Sequence, residues 1–410
     1  MRTRRWVIPR LVLFVWVSVL DVTTAPALEA ETRGPLCEPP LWRVVPTANE
    51  GAGDNELRGI TALSATDAWA VGSSFDAAEG RTHPLTEHWD GATWTVVQSP
   101  PVGASGELSS VDGITPTTAW AVGSFTTSSR VGDIPHALVQ RWDGTAWGIV
   151  ETAAPDVGRY VSTVAKDVLA LTQGDAWAVG YWSSVPDGPP SPLIEHWDGR
   201  VWEVIAGPEL GSWSELYAVS GTGPDDVWAV GNTEVRVGDA VVERALIEHW
   251  DGEAWTVVKT PPVTRRHPLY PFLLEDVVAL SPRDAWAVGN VAQPKRTVTL
   301  ALHWDGSRWA RVATVDPSRT LQMLAGVAGR SAKRMWAVGF YLDDATHQER
   351  TLVERWDGER WRAASSENMN DSSDLYDIVA VRGWRFAVGS FWSRRGDGRF
   401  RTIGLERCRG

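Results

Sequence analysis

Apolar residues fall on alternate positions in short runs along most of the chain, separated by links rich in Gly, Asp, Ser and Thr. That spacing is the mark of half-buried strands. In one representative stretch, Leu57 to Leu63, Ala68 to Ser73, Leu85 to Trp89 and Thr93 to Gln98 read as four successive strands, a to d. The a-to-b link (Ser64-Ala65-Thr66-Asp67) is short and the c-to-d link is a tight Asp90-Gly91, whereas b-to-c and d-to-a links are long and vary between copies. Asp-Gly between strands signals a hairpin, because Gly reaches positive φ without penalty and Asp bonds its own backbone.

Self-comparison extends this unit along the chain. Trp-Ala-Val-Gly occurs at 69–72, 120–123, 177–180, 228–231, 286–289 and 336–339, and Phe386-Ala387-Val388-Gly389 is a seventh copy. The intervals are 51, 57, 51, 58, 50 and 50 residues. Trp-Asp-Gly-x-x-Trp occurs at 89–94, 142–147, 197–202, 250–255, 304–309 and 356–361, so the twelve full motif copies hold 18 of the 25 Trp. A period of about 50 residues with four short strands per unit predicts an all-β fold, a seven-bladed β-propeller of four-stranded blades.

Strand a gives the reason for packing the units together. Nine positions before each Trp/Phe-Ala-Val-Gly motif stand Ile60, Val111, Val168, Val219, Val277 and Val327, with Ile378 after a one-residue gap; seven before it stand Ala62, Gly113, Ala170, Gly221, Ala279, Gly329 and Ala380. Strict alternation puts these two positions, and those eleven and thirteen before the motif, on one face. A β-branched residue beside a very small one fits sheets converging on an axis, and only a closed ring buries all the faces.

The seventh unit is expected to close the ring with both ends of the chain. Leu405-Glu406-Arg407-Cys408 aligns with strand c, and Cys37-Glu38-Pro39-Pro40-Leu41-Trp42 aligns with Trp89 to Trp94, so strand d of the last blade comes from the N-terminus. Both Cys37 and Cys408 then occupy the first Trp position of Trp-Asp-Gly-x-x-Trp. A Cys37–Cys408 disulfide is expected there, of a kind typically worth about 2–4 kcal/mol.

With a Gly-ended second strand and a Trp just after the turn between strands three and four, the repeat resembles kelch-type and galactose-oxidase-type β-propellers over residues 37–408. It lacks the Gly-Gly pair of a kelch repeat: the motif Gly is followed by Ser73, Ser124, Tyr181, Asn232, Asn290, Phe340 and Ser390. Asp90-Gly91-Ala92-Thr93-Trp94 is also similar to a sialidase Asp-box, with an Asp-to-Trp spacing one residue too short. The resemblance implies a fold and transfers no active site.

The ends and the composition narrow the setting. Arg2, Arg4, Arg5 and Arg10 precede an apolar run from Leu11 to Leu20, and Ala25-Pro26-Ala27 follows. This pattern predicts a secretory signal peptide over residues 1–27, a linker over 28–36 and one propeller over 37–410. Ten apolar residues fall short of the roughly 20 that span a bilayer, and no other long apolar stretch occurs, so no membrane span is expected after signal removal. Cleavage would remove four Arg and one Asp, taking the formal charge from -12 to -15. That sign disfavours nucleic acid as a partner. Export to the extracellular space or the cell envelope permits a disulfide.

Chemistry is sought where the blades differ. His88, His196, His249 and His303 share one slot before the first Trp of Trp-Asp-Gly-x-x-Trp, which Arg141, Arg355 and Arg407 fill elsewhere. A side chain repeated around a ring reads as packing. No zinc-ligand spacing occurs, so no metal site and no cofactor are predicted, while a structural or channel cation stays open. Eleven and thirteen positions before the motif, at the mouth of the central channel, the residues are polar and unlike: Glu56, Arg58, Glu107, Lys166, Glu215, Tyr217, Glu275, Asp374 and Tyr376. The variable loops add Trp182, Trp213, Tyr270, Phe272, Tyr341 and Trp392, aromatic faces suited to sugar or protein contacts.

Two functional classes follow. The first is a secreted, non-enzymatic binding propeller recognising a glycan or a protein through the loop-bearing face. The alternative is a carbohydrate-active hydrolase or lyase using Glu107, Glu215, Glu275 or Asp374 as acid and base.

Overall fold

The computed structural model describes residues 42–129, 132–155, 161–185, 188–211, 213–262, 270–369, 372–393 and 398–407. They belong to a compact unit, Cys37–Gly410. All the regular structure described is strand: 28 strands form seven antiparallel four-stranded sheets. Blades 1 to 6 occupy residues 55–96, 105–150, 162–204, 214–257, 272–312 and 322–363, each in the order a-b-c-d. Blade 7 takes strands a to c from residues 373–407 and strand d from Trp42–Val45, which pairs with strand c from Trp42↔Arg407 to Val45↔Gly404. The ring is therefore closed by the N-terminal strand. Cys37 and Cys408 lie outside the described residues.

Each motif has a separable physical task. Within Trp-Ala-Val-Gly the Trp and Val point to the next blade, and the Ala residues on either side of the Trp point back to the previous one. Trp69 and Val71 of blade 1 pack with Leu108, Val111, Ala119 and Ala121 of blade 2. Ala68 and Ala70 pack with Leu57 and Ile60 against Trp384, Phe386 and Val388 of blade 7. The motif Trp inserts between the two Trp of the next blade's Trp-Asp-Gly-x-x-Trp: Trp69 lies 4.8 Å from Trp142 and 5.0 Å from Trp147, ring centre to ring centre. In blade 7 the strand d Trp42 takes this role, 5.4 Å from Trp336.

The motif Gly answers to a bulge. Strand a loses register against strand b at the same place in every blade, as between Leu57↔Gly72 and Gly59↔Val71. The residue eleven before the motif is the extra one, and the bend brings strand a so close that a Cβ on Gly72 would fall on the Glu56 carbonyl oxygen. The same clash with strand a backbone recurs at the other six copies.

This bulge corrects the strict alternation expected along strand a. The pairing puts positions twelve, nine and seven on the face toward the previous blade, while position eleven is turned out toward the axis, a re-aiming typical of bulges. The c-to-d turns are also longer than a two-residue hairpin. Trp89 pairs with Trp94, and Asp90 Oδ1 accepts the amides of Ala92 and Thr93 at 2.8 and 2.9 Å, with Gly91 at φ 96°.

The recurrent His are structural partners of strand b. His88, His196, His249 and His303 bond Asp67, Asp175, Asp226 and Asp284 at 2.9, 2.8, 2.8 and 2.8 Å. His88 also lies 4.5 Å from the Trp69 ring. In blade 2 the same slot puts the Arg141 guanidinium 5.2 Å over Trp120.

Candidate functional site

Seven strands a line a central cavity of about 380 Å³. Because the bulges turn position eleven toward the axis, Arg58, Lys166, Tyr217, Glu275 and Tyr376 all line it, with Ser109 and Ala325 completing the ring. These are five of the residues singled out in the sequence, brought together from blades 1, 3, 4, 5 and 7.

Their partners are local. Arg58 donates to Glu56 at 2.7 Å and lies 5.4 Å over the Tyr376 ring. Lys166 stands 5.6 Å over Tyr181. The Tyr217 hydroxyl donates to Glu215 Oε2 at 2.5 Å. Burial first, then this bond and the charges of Glu215 and Glu275, raise the Tyr217 phenol above its ordinary value, so it serves as a donor rather than a base. Burial raises Glu275 also, against the pull of Lys166.

The layer beneath was missed at the sequence level. Ten positions before the motif, allowing the same gap in the last copy, stand Gly59, Ser110, Asp167, Ala218, Asp276, Gly326 and Asp377. Each Asp joins two blades: it accepts the amide of the residue after it and the corresponding amide of the next blade. Asp167 takes Val168 N at 2.8 Å and Val219 N at 2.7 Å. Asp276 takes Val277 N at 2.7 Å and Val327 N at 2.6 Å. Asp377 takes Ile378 N at 2.6 Å and Ile60 N, across the ring closure, at 2.8 Å.

Three carboxylates thus satisfy six of the seven amides that the bulges leave facing the channel. The blade that follows each Asp carries Ala or Gly at the same position, which leaves room for the reach. Asp112, two positions further along strand a of blade 2, takes Gly113 N at 2.8 Å and Ala170 N of blade 3 at 2.9 Å.

Desolvation dominates the electrostatics of this layer. Burial pushes Asp167 up to about 6 and Asp377 up to about 7 despite the amide donors. Asp112 is raised by burial, and Asp276 rises by burial and by the charges of Asp377 and Asp167. A second set of carboxylates sits away from the axis on strand c. Glu87 accepts Ala48 N at 3.0 Å and Glu354 accepts Val315 N at 3.2 Å, and burial pushes both to about 8.

The remaining candidates are dispersed. Of Glu107, Glu215, Glu275 and Asp374, only Glu275 lines the central cavity; Glu215 lines a separate notch over blade 3 with Trp213. Burial, then Glu349 and Glu56, push Asp374 up to about 7. Trp182 lines an outer groove with Pro208 and Leu210. Tyr270 and Tyr341 pack on inter-blade cores, Phe272 is buried within one, and Trp392 meets Phe400 edge-on at 4.9 Å.

Among the described residues one set of His and carboxylate groups converges, Asp76, Glu79 and His83, with ligand atoms within 4.8 Å of one another. Glu79 is paired with Arg81 at 2.5 Å and Asp76 Oδ1 accepts the amides of Ala78 and Glu79, so the hairpin's own donors occupy these groups.

No family model matches the chain, and no curated protein does. Solved structures do. The chain is similar to "YCF48 bound to D1 peptide", with TM-score 0.52 and 13% identity over 90% of this chain and 96% of that one. It is also similar to a polysaccharide lyase, an ulvan lyase bound to -[GlcA(1-4)Rha3S]-, with TM-score 0.56 and 10% identity over 85% of this chain and 94% of the other. At these identities the likeness is one of fold.

Proposed function

We propose that the protein is a non-enzymatic binding propeller that recognises a glycan or a protein through its loop-bearing face, with the channel mouth at the centre of the contact. One observation carries this reading: the bulges present five unlike polar or charged side chains, Arg58, Lys166, Tyr217, Glu275 and Tyr376, to one cavity. Beneath them the aspartates are committed to backbone amides, so they serve as scaffold and leave recognition to the mouth. Of the solved structures it is similar to, one holds a peptide and one an oligosaccharide, which agrees with either ligand class.

The test is a glycan and peptide array probed with the purified chain and with Lys166→Ala and Tyr376→Ala. Hits weakened about tenfold by either change, in keeping with the loss of a contact of ~1–2 kcal/mol, support the reading. An array without hits, or hits indifferent to both changes, overturns it.

A second reading, a carbohydrate-active hydrolase or lyase, is favoured by Asp374. A carboxyl raised to about 7 by burial and by the charges of Glu349 and Glu56 is the kind of group that general acid chemistry uses. Incubation with acidic polysaccharides checks it: new reducing ends or unsaturated uronate that disappear in Asp374→Asn support an enzyme, and intact substrate opposes one.

Export belongs to the same proposal, with signal cleavage after Ala27 and a Cys37–Cys408 disulfide at the closure. Mapping of the secreted chain under non-reducing conditions should recover one peptide pair holding both cysteines. Kelch-type and galactose-oxidase-type propellers remain the resemblance for the blade type. Among the described residues no helix is long and apolar enough to cross a membrane.

A further inference from the structure

The loop-bearing face has a second concavity beside the channel mouth, a notch of about 380 Å³ over blade 3. One wall is the b-to-c hairpin of blade 2, with Asp133 and Pro135; the other is the entry to blade 4, with Trp213 just before strand a and Glu215 on it; Tyr181 and Pro190 come from blade 3. Tyr181 follows the motif Gly, where the other blades carry Ser73, Ser124, Asn232, Asn290, Phe340 and Ser390.

The chemistry of this notch is one-sided. Two aromatic rings and two carboxylates line it, and among the described lining residues no side chain is Lys, Arg or His. Each carboxylate has one oxygen fixed from within the chain: Ser128 Oγ donates to Asp133 Oδ1 at 2.7 Å, and Tyr217 donates to Glu215 Oε2 at 2.5 Å. Those bonds orient the carboxylates and leave the other oxygens unengaged by described donors.

Tyr181 already attracts a cation, since the Lys166 ammonium stands 5.6 Å from its ring centre. Glu215 and Glu107 are near enough to the phenol that their charges add to burial in raising it. Aromatic faces with carboxylates at their edge form the arrangement that holds an organic cation, through the ring quadrupole and direct charge pairing. An anion would meet two carboxylates, and the neighbouring Lys166 is not among the residues that line the notch.

We propose that the notch over blade 3 binds an ammonium group, held between Trp213 and Tyr181 and neutralised by Asp133 and Glu215. The inference rests on the binding reading above and names the chemistry of one part of its ligand. The same group could be carried by a lysine of a protein, an amino sugar of a glycan or a small free amine.

Calorimetry on the full chain with choline, Nα-acetyl-lysine amide and glucosamine distinguishes these sources, with the uncharged carbon isostere of choline as control. At least one ammonium probe should bind, and for choline the isostere should be weaker by about tenfold or more, as the loss of a desolvated cation–π contact and its charge pairing implies. Trp213→Ala and Asp133→Asn should each weaken the bound probe by about tenfold, while Tyr181→Phe, which keeps the ring face, should retain binding. Asp133 lies on an exposed hairpin, so its variant tests the site even if Trp213→Ala fails to fold.

Equal binding of choline and its isostere, indifference to Asp133→Asn in folded protein, or no heat with any ammonium probe overturns the proposal. Array hits on the wild-type chain that no ammonium probe displaces would sink this inference and leave the binding reading standing. An array without hits, alongside choline binding at the notch, would do the reverse.

Discussion

An aspartate that bridges two backbone amides in a channel wall trades desolvation against hydrogen bonding, and here desolvation wins. Asp377 sits at about 7 in the fold, against about 3.9 for a free Asp in an unfolded chain. The folded chain therefore holds protons that the unfolded chain releases, and its stability falls as pH rises across that window. Asp167, at about 6, and Glu87 and Glu354, at about 8, act in the same direction. The Asp-Gly turn carboxylates act oppositely: Asp90 and Asp251 are held below their ordinary value by the turn amides, and Asp143 by the Thr145 hydroxyl and then the turn amides, and this contribution is lost as pH falls through the lowered value.

The melting temperature should accordingly fall steadily from about pH 4.5 to about pH 8.5; a melting temperature that rises over that span would refute the assignment. Removing one bridge is a sharper test. Asp377→Ala orphans the Ile60 and Ile378 amides, and at about 1–3 kcal/mol per unsatisfied buried group it should cost roughly 2–6 kcal/mol in denaturant unfolding. The bridging residues were the least legible in the sequence. Position ten reads as an irregular mixture until the bulge is known, and the pattern becomes sensible only when each Asp is seen beside the small residue of the next blade.

At the scale of the strand, the conserved shape of every blade comes from one irregularity in strand a, and sequence periodicity is blind to it. Alternation located the strands, the Asp-Gly pairs located the turns, and the repeated Trp and Ala were legible as packing. A bulge inserts a residue without changing composition, so the parity inferred for positions thirteen to seven broke at position eleven. The motif Gly was the available sign, since a Gly inside an otherwise apolar strand marks a close backbone approach. Gly289→Ala should therefore be severe. Its Cβ would fall on the Leu273 carbonyl oxygen, and backbone on both sides must move. A loss of about 3 kcal/mol or more is expected from equilibrium unfolding, against a few tenths for Gly148→Ala, where a Cβ meets nothing within 4 Å.

At the scale of the molecule the seven blades depend on a strand borrowed from the far end of the chain. Trp42 is fully buried against Trp336 and lies on the strand that completes blade 7. Trp42→Ala should cost about 3–5 kcal/mol, the usual range for emptying a large aromatic site, and should expose the outer edge of blade 7 to protease before the other blades. Uniform cleavage around the ring would argue against a closure of this kind.

The Asp bridges at position ten tie blade 3 to 4, 5 to 6 and 7 to 1, and seven is odd, so blade 2 has no partner at that position and joins blade 3 through Asp112 instead. The two ends of the chain meet inside blade 7, where the borrowed strand d seals the rim beside strand c, and the bridge from 7 to 1 holds the adjoining pair of blades close to the axis. A circularly permuted gene that joins the native ends and opens the chain between blades 4 and 5, where the Ala279 amide donates to Ser220 Oγ across the inner wall in place of an Asp bridge, should yield the same ring. Opening it between blades 5 and 6 would instead make a carboxylate hold together the newly made gap.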